Sequence, residues 1–211
     1  MTGVLILGAS GLAREVLPVL REQGRDVLGI LDDRHAELPR TVGGVPVLGG
    51  IADVGLYPDA ELLACVGPSG VRSDVVARAE SAGARQWATV VDPSVRNPGD
   101  CPVGQGSILL AGVTLTADAV LGEHVVAMPG VTVTHDCLVG DFATLAAGVS
   151  LGGAVRVGRA AYLGMNASVR PGVVIGAHAT VGMGAAVLTD VPSTKTWVGV
   201  PARQLKAGVR P

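Results

Sequence analysis

Aromatic residues are nearly absent from this chain: one Phe, two Tyr and two Trp among 211 residues, about 2%. Ordinary β-sandwiches and barrels fill their cores with bulky side chains, so this scarcity argues against both. Charge is sparse as well, 16% of residues with a net of -2, and the basic stripe of a nucleic-acid-binding protein is missing. Three cysteines make no disulfide framework and fit a reducing, cytoplasmic setting. No uninterrupted apolar run approaches the roughly 18 residues that a membrane span needs. The opening "MTGVLILGAS" has no basic n-region and soon meets turn residues, so no signal peptide is expected. Neither nucleic acid nor membrane is expected as a partner. What the chain does have is 31 glycines, with Val, Leu and Ala spread along its whole length.

In the C-terminal half those apolar residues keep strict time. Val139, Leu145, Leu151, Val157, Leu163, Val169, Ile175, Val181 and Val187 recur at every sixth position. Four residues after each stands a small or β-branched residue, from Ala143 and Val149 to Ala185 and Val191. Backwards, the register runs through Val133, Ala127, Leu121, Leu115, Leu109 and Val103, and then through Asn97 and Val91, giving 17 hexads over 91–192. A six-residue period is too long for strand alternation and incommensurate with an α-helix. It is the mark of a parallel β-helix, in which each hexad forms one flat side and three hexads close a triangular coil of 18 residues. Coils then stack at the ~4.8 Å strand spacing. This half resembles the left-handed β-helix, hexapeptide-repeat acyltransferases; the handedness is what the resemblance implies. Cys101 and Cys137 share a repeat position two coils apart. They should therefore lie ~9.6 Å from each other, too far for a disulfide, and serve as core fillers. An unbroken register leaves no long loop to build a pocket on one prism, which favours an oligomer.

The N-terminal half has a different grammar. "GVLILGASGLAREVLPVLREQG" reads as a strand, a Gly-rich turn at Gly8, Ser10 and Gly11, and a helix burying Leu12, Val16, Val19 and Leu20. "DVLGILDD" is a second strand ending in Asp32 and Asp33. "ELLACVG" and "ARQWATVVDP" are two further strands, separated by the helical "SDVVARAESAG". Alternating strands and helices imply a small parallel, Rossmann-like α/β sheet. The expected organisation is thus an α/β domain at 1–88, a β-helix at 89–192 and a tail at 193–211. Ligands of such sheets bind at the carboxyl ends of the strands, where Gly8–Gly11 and Asp32–Asp33 fall. The turn's amides suit phosphate, and the acidic pair suits ribose or base donors. "GASG" lacks the third glycine of the dinucleotide fingerprint, so an ordinary tight turn competes with a phosphate cradle. Judged alone, the acidic pair reads as a solvated strand end.

"VTVTHDCLVG" (131–140) sets His135 beside Asp136 in an otherwise small and apolar stretch. His135 occupies an outward position of its hexad, where a solvated surface histidine is the competing reading. Two features point to chemistry instead. Asp136 can orient the ring and stabilise imidazolium, as a general base needs. Gly153 lies eighteen residues on, one coil along the same column, and its uncovered N–H can donate to a tetrahedral oxyanion. The other histidines, His35, His124 and His178, read as surface residues, and their spacing brings no three metal ligands together.

"ILGASGLAREV" and "GILDD", followed by hexads carrying "HDCLVGDF" and then "WVGVPAR", together resemble the sugar O-/N-acyltransferases of the NeuD/PglD type. The resemblance spans nearly the whole chain. It implies an acyl-CoA-dependent, most simply acetyl-CoA-dependent, transfer to an amino or hydroxyl group of a sugar or nucleotide-sugar by a homotrimer, without a metal. It aligns the family's catalytic His and acidic neighbour with His135 and Asp136 and its oxyanion amide with Gly153. It gives the sugar substrate to the α/β domain, through Gly8, Ser10, Gly11, Asp32 and Asp33. It gives acetyl-CoA to the β-helix, where Gly153, the stacked Met165 and Met183, and the cations Lys195, Arg203 and Lys206 are the candidates. The chain departs from the pattern at Leu12, where a His usually follows the glycine turn, at Met128 in place of Asn, and at Thr144 in place of a second His. Those departures leave room for an alternative of another class, a non-catalytic trimeric scaffold or ligand-sensing module.

Overall fold

The computed structural model describes residues 3–99 and 101–205, which separate into two compact units, one up to Val91 and one from Asp92. In the first unit, β1 (Val4–Leu7), α1 (Gly11–Glu22), β2 (Val27–Leu31), β3 (Thr41–Val42), β4 (Val45–Gly49), β5 (Glu61–Ala64) and α2 (Ser69–Ser81) follow in chain order. The sheet order is β3-β4-β2-β1-β5. All four residues of β1 are buried, as expected of a central strand covered on both faces. Helix α1 buries Leu12, Val16, Val19 and Leu20, the predicted face, and its N-terminus is capped by Ser10 Oγ, which accepts the Leu12 N–H.

Two expectations for this sheet need correction. It is mixed rather than purely parallel, because β3 and β4 pair antiparallel as a hairpin. Gly43 and Gly44 form the turn with φ of 59° and 81°, the backbone that a tight two-residue hairpin demands. The expected strand in "ARQWATVVDP" forms in two pieces, an isolated parallel bridge of Trp87 with Leu62 and a two-residue strand at Val90–Val91.

In the second unit short strands stack, with an 18-residue offset as far as Ala186–Val187. One face carries Ile108–Leu109, Val126–Ala127, Thr144–Leu145, Tyr162–Leu163, Thr180–Val181 and Thr196–Val198. A second carries Thr114–Leu115, Thr132–Val133, Ser150–Leu151, Ser168–Val169 and Ala186–Val187. The third carries Val120–Leu121, Leu138–Val139, Arg156–Val157 and Val174–Ile175. Every first-position residue from Leu109 to Val187 is buried, as are the corner fillers such as Ala143, Val149 and Ala161. The three cysteines are buried thiols, Cys101 and Cys137 among the corner fillers. The corner itself needs a left-handed residue, and Asp118, Asp136, Ala154 and Gly172 supply it in turn along one edge.

The register does not run unbroken to 192. Val191 bridges Ile175 and Trp197 pairs Val181, offsets of sixteen rather than eighteen, so the last coil is two residues short. Val191 is thereby an inward first-position residue and not a corner filler. Leu163 is fully buried in the middle of the stack. Leu163→Ala should lower the unfolding free energy by about 2–5 kcal/mol, measured by chemical denaturation.

Candidate active site

The edge between the second and third faces carries His135. Its neighbour Asp136 adopts φ 61°, a conformation that aspartate tolerates better than most residues. That left-handed turn folds the carboxylate against the ring, with Nδ1 2.7 Å from Asp136 Oδ2. Both side chains remain largely exposed, at 64% and 59%. With Nδ1 donating to the carboxylate, Nε2 is left as the basic nitrogen.

One coil along, Gly153 lies under the imidazole. A Cβ at this position would stand 2.5 Å from His135 Nε2, so any larger residue would push the imidazole aside. The Ala154 N–H donates to the His135 carbonyl at 2.9 Å and fixes the two coils in register. The Gly153 N–H pairs with no acceptor among the described residues. Gly153 is itself buried, so its surface is covered by the ring and not bare as the spacing alone implied. The imidazole and the glycine amide therefore share one edge, as the 18-residue offset predicts.

The remaining candidates lie elsewhere in the fold. Met165 and Met183 stack on the edge between the first and second faces, 48% and 72% exposed, and so stand on a different edge from His135. Lys195 and Arg203 are exposed near the last coil, and Lys206 lies outside the described residues. Among the other histidines, His35 and His178 are exposed, but His124 is not. It is 2% exposed, stacked at 4.8 Å on Phe142 and lying over Gly106, because the adjacent coils offer a ring on one side and a bare glycine on the other. No group of three or more His, Cys, Asp or Glu among the described residues is placed to hold a metal ion.

In the first unit, the carboxyl ends of β1, β2 and β5 are laced together. Asp32 is 7% exposed, which overturns its reading as a solvated strand end. Its Oδ2 accepts the Ala9 N–H at 2.8 Å and its Oδ1 the Arg34 N–H at 2.9 Å. Ser10 Oγ donates to the Cys65 carbonyl at 2.7 Å. Gly8, at φ 99°, packs where a side chain would strike Val66 and the Cys65 carbonyl. Gly11 opens α1 and is exposed. Asp33 is exposed and takes Arg78 at 2.8 Å and the Ile51 N–H at 3.1 Å. The hydrogen bond from Arg78 holds the Asp33 carboxyl below its usual range. Sequence reasoning missed Arg78, and also Arg72, a fully buried guanidinium that donates to the Val66 and Gly67 carbonyls at 2.8 and 2.9 Å. Burial lowers Arg72 to about 10, so it stays cationic at neutral pH. Helix periodicity is no guide to either arginine, since it marks only the apolar face.

A profile described as the PglD N-terminal domain matches residues 3–79, and one described as the hexapeptide repeat of succinyl-transferase matches 154–189. Perosamine N-acetyltransferase from Caulobacter crescentus, solved as a histidine-to-asparagine mutant with CoA and GDP-perosamine, is 32% identical. That likeness covers 98% of each chain with a TM-score of 0.92. The chain belongs to the NeuD/PglD-type hexapeptide-repeat sugar acetyltransferases. Within the family, the acetyltransferase domain of PglB from Neisseria gonorrhoeae, solved with acetyl coenzyme A, is 28% identical over 96% of this chain and 98% of that one, with a TM-score of 0.89. WeeI from Acinetobacter baumannii is 29% identical over 97% of this chain and all of its own, at a TM-score of 0.84. No curated protein gives a significant match. The second unit of this acetyltransferase is accordingly a left-handed parallel β-helix.

The Asp33–Arg78 pair generates a pH prediction. Because the folded carboxyl is held below its ordinary value, the pair's contribution is present above an unfolded pKa of about 3.9 and fades as pH falls through the lower folded one. The pair is solvent-exposed, so its worth is at most about 1 kcal/mol. The stability difference between the native chain and Arg78→Gln, followed by denaturant unfolding, should be level from pH 7 to about 5 and shrink below that.

Proposed function

We propose that this protein moves an acetyl group from acetyl-CoA to an amino or hydroxyl group of a nucleotide-sugar, with His135 as the general base. The protein is an acetyl-CoA-dependent acyltransferase, which sets aside the scaffold alternative. The observation that carries the assignment of roles is the stack of one edge: a carboxylate-oriented imidazole lying over a glycine whose N–H has no acceptor among the described residues.

The chemistry asks for little more. The acceptor's nitrogen or oxygen attacks the thioester carbonyl carbon while His135 Nε2 removes its proton. Asp136 stabilises the resulting imidazolium. The carbonyl oxygen becomes an oxyanion and accepts the Gly153 N–H, a donor fixed by the coil that the imidazole uncovers as it turns toward the acceptor. Collapse of the tetrahedral intermediate breaks the C–S bond, and the imidazolium returns its proton to the departing thiolate. Holding both reactants on one edge converts a two-body encounter into a single bound arrangement.

In this reading residues 1–88 receive the nucleotide-sugar, through Gly8, Ser10, Gly11, Asp33 and the turn that Asp32 braces. Residues 89–192 hold the catalytic pair and the acyl donor, and the tail at 193–211, with Lys195 and Arg203, adds cations for coenzyme phosphates. Met165 and Met183 stand on a different edge from His135, so one coenzyme meets both only where two copies lie side by side; this supports a homotrimer. No helix among the described residues is long and apolar enough to cross a membrane. The setting proposed for the enzyme is the cytoplasm, where its acyl donor is made.

His135→Ala should lower turnover on the true acceptor by about 10²-fold or more, read as thiol release from acetyl-CoA, while calorimetry finds CoA binding intact. Full turnover in that variant would remove His135 from the mechanism.

A further inference from the structure

Charge is unevenly distributed along the catalytic edge. On one side of His135 stand Asp136 and, one coil back, Asp118, both outside the buried core. On the other side stand two arginines that flank the edge. Arg156 lies on the third face, three residues past Gly153, and pairs in register with Leu138 on one side and Val174 on the other. Those neighbours are 42% and 41% exposed, and they wall an open groove of about 350 Å³ whose floor is Gly122, Gly140, Gly158 and Gly176 and whose far side carries Asp141, held by Arg159. The floor is glycine by necessity, since a Cβ on Gly140 or Gly158 would strike the backbone of the next coil. Arg170 lies across the edge on the second face, beside Pro171, in a column between Gly152 and Leu188. Its one hydrogen bond is a long contact of 3.5 Å to the Leu188 carbonyl. Among the described residues neither arginine has a carboxylate partner, whereas Arg159 on the next edge is paired with Asp141 and stacked over Phe142.

Two guanidiniums set in apolar and glycine columns, one or two coils from His135, are thus left without a carboxylate partner among the described residues. Guanidinium forks match phosphate oxygens, and an apolar surround strengthens the attraction. The acids at 118 and 136 repel the same group from the opposite side, so an anion is directed past Gly153. From these observations we infer that Arg156 and Arg170 form a diphosphate-binding clamp on the catalytic edge. Its two residues stand one and two coils along from His135 and are separate from the basic residues near the C-terminus. Both reactants of the proposed transfer carry a diphosphate, the coenzyme and the nucleotide-sugar, so the inference rests on that reading and narrows how the edge seats one of them.

The test is calorimetric titration of coenzyme A, pantetheine, GDP, UDP and guanosine into the native chain, Arg156→Gln, Arg170→Gln and the double variant. Each single change should weaken one diphosphate ligand about tenfold or more, and the pair about 100-fold, with the phosphate-free counterpart unchanged. Arg156→Lys should restore part of the loss, because it keeps the charge without the fork. Loss confined to coenzyme A assigns the clamp to the donor; loss confined to GDP or UDP assigns it to the acceptor. Native binding of coenzyme A or a nucleotide that the double variant keeps within twofold would overturn the clamp alone. A native chain that binds none of them would overturn the clamp and the acyltransferase reading together.

Discussion

The backbone ladder between coils is the constraint on which the second unit depends. Each strand has only two residues, too few to be stable alone, and gains its hydrogen bonds from the strand eighteen positions away. The inward column then becomes a continuous seam of Leu, Val, Ile and Ala, in which each fully buried large member contributes about 1.5–3 kcal/mol. Because the ladder permits no sliding, it also fixes what stands above what on the outside. His135 meets Gly153 for the same reason that Val133 pairs with Leu151. Packing and the placement of the proposed catalytic groups here follow one geometric rule.

Within that rule, backbone handedness does the aiming. The positive φ of Asp136 turns its carboxylate onto the imidazole, where an extended residue would send it away from the edge. A corner on another edge, at His124, buries its ring against Phe142 and Gly106 instead. The two histidines thus reach opposite fates from different hexad places, His124 holding the left-handed corner that Asp136 holds beside His135. In the first unit, adjacent aspartates divide in a similar way. Asp32 spends both oxygens on backbone amides and braces the glycine turn, while Asp33 stays at the surface on Arg78.

Most of this was legible because the signal was periodic. The inward residues, the corner fillers and the His135–Gly153 pairing come from counting in sixes and eighteens. The short last coil did not, since Val191 is apolar and fits an inward place in either register. The burial of His124 was hidden because an outward position says nothing of what the next coil lays over it. The β3–β4 hairpin did carry a signal, the Gly43-Gly44 pair between two β-prone runs, and overlooking it made the sheet look wholly parallel. Arg72, Arg78, Arg156 and Arg170 were unmarked because no local pattern separates a solvated arginine from a buried or unpaired one.

A side chain's address on this prism is its position counted modulo eighteen. Tandem duplication of a full turn would lengthen the spiral and leave every reactive group on its own ridge. Duplicating a single hexad between His135 and Gly153 would rotate the amide to the neighbouring ridge and separate it from the imidazole. Such a fold can grow along its axis in whole turns without disturbing its chemistry. The shortened final turn comes after the reactive ridge has been laid down, so its missing pair of residues displaces only the extreme end of the spiral.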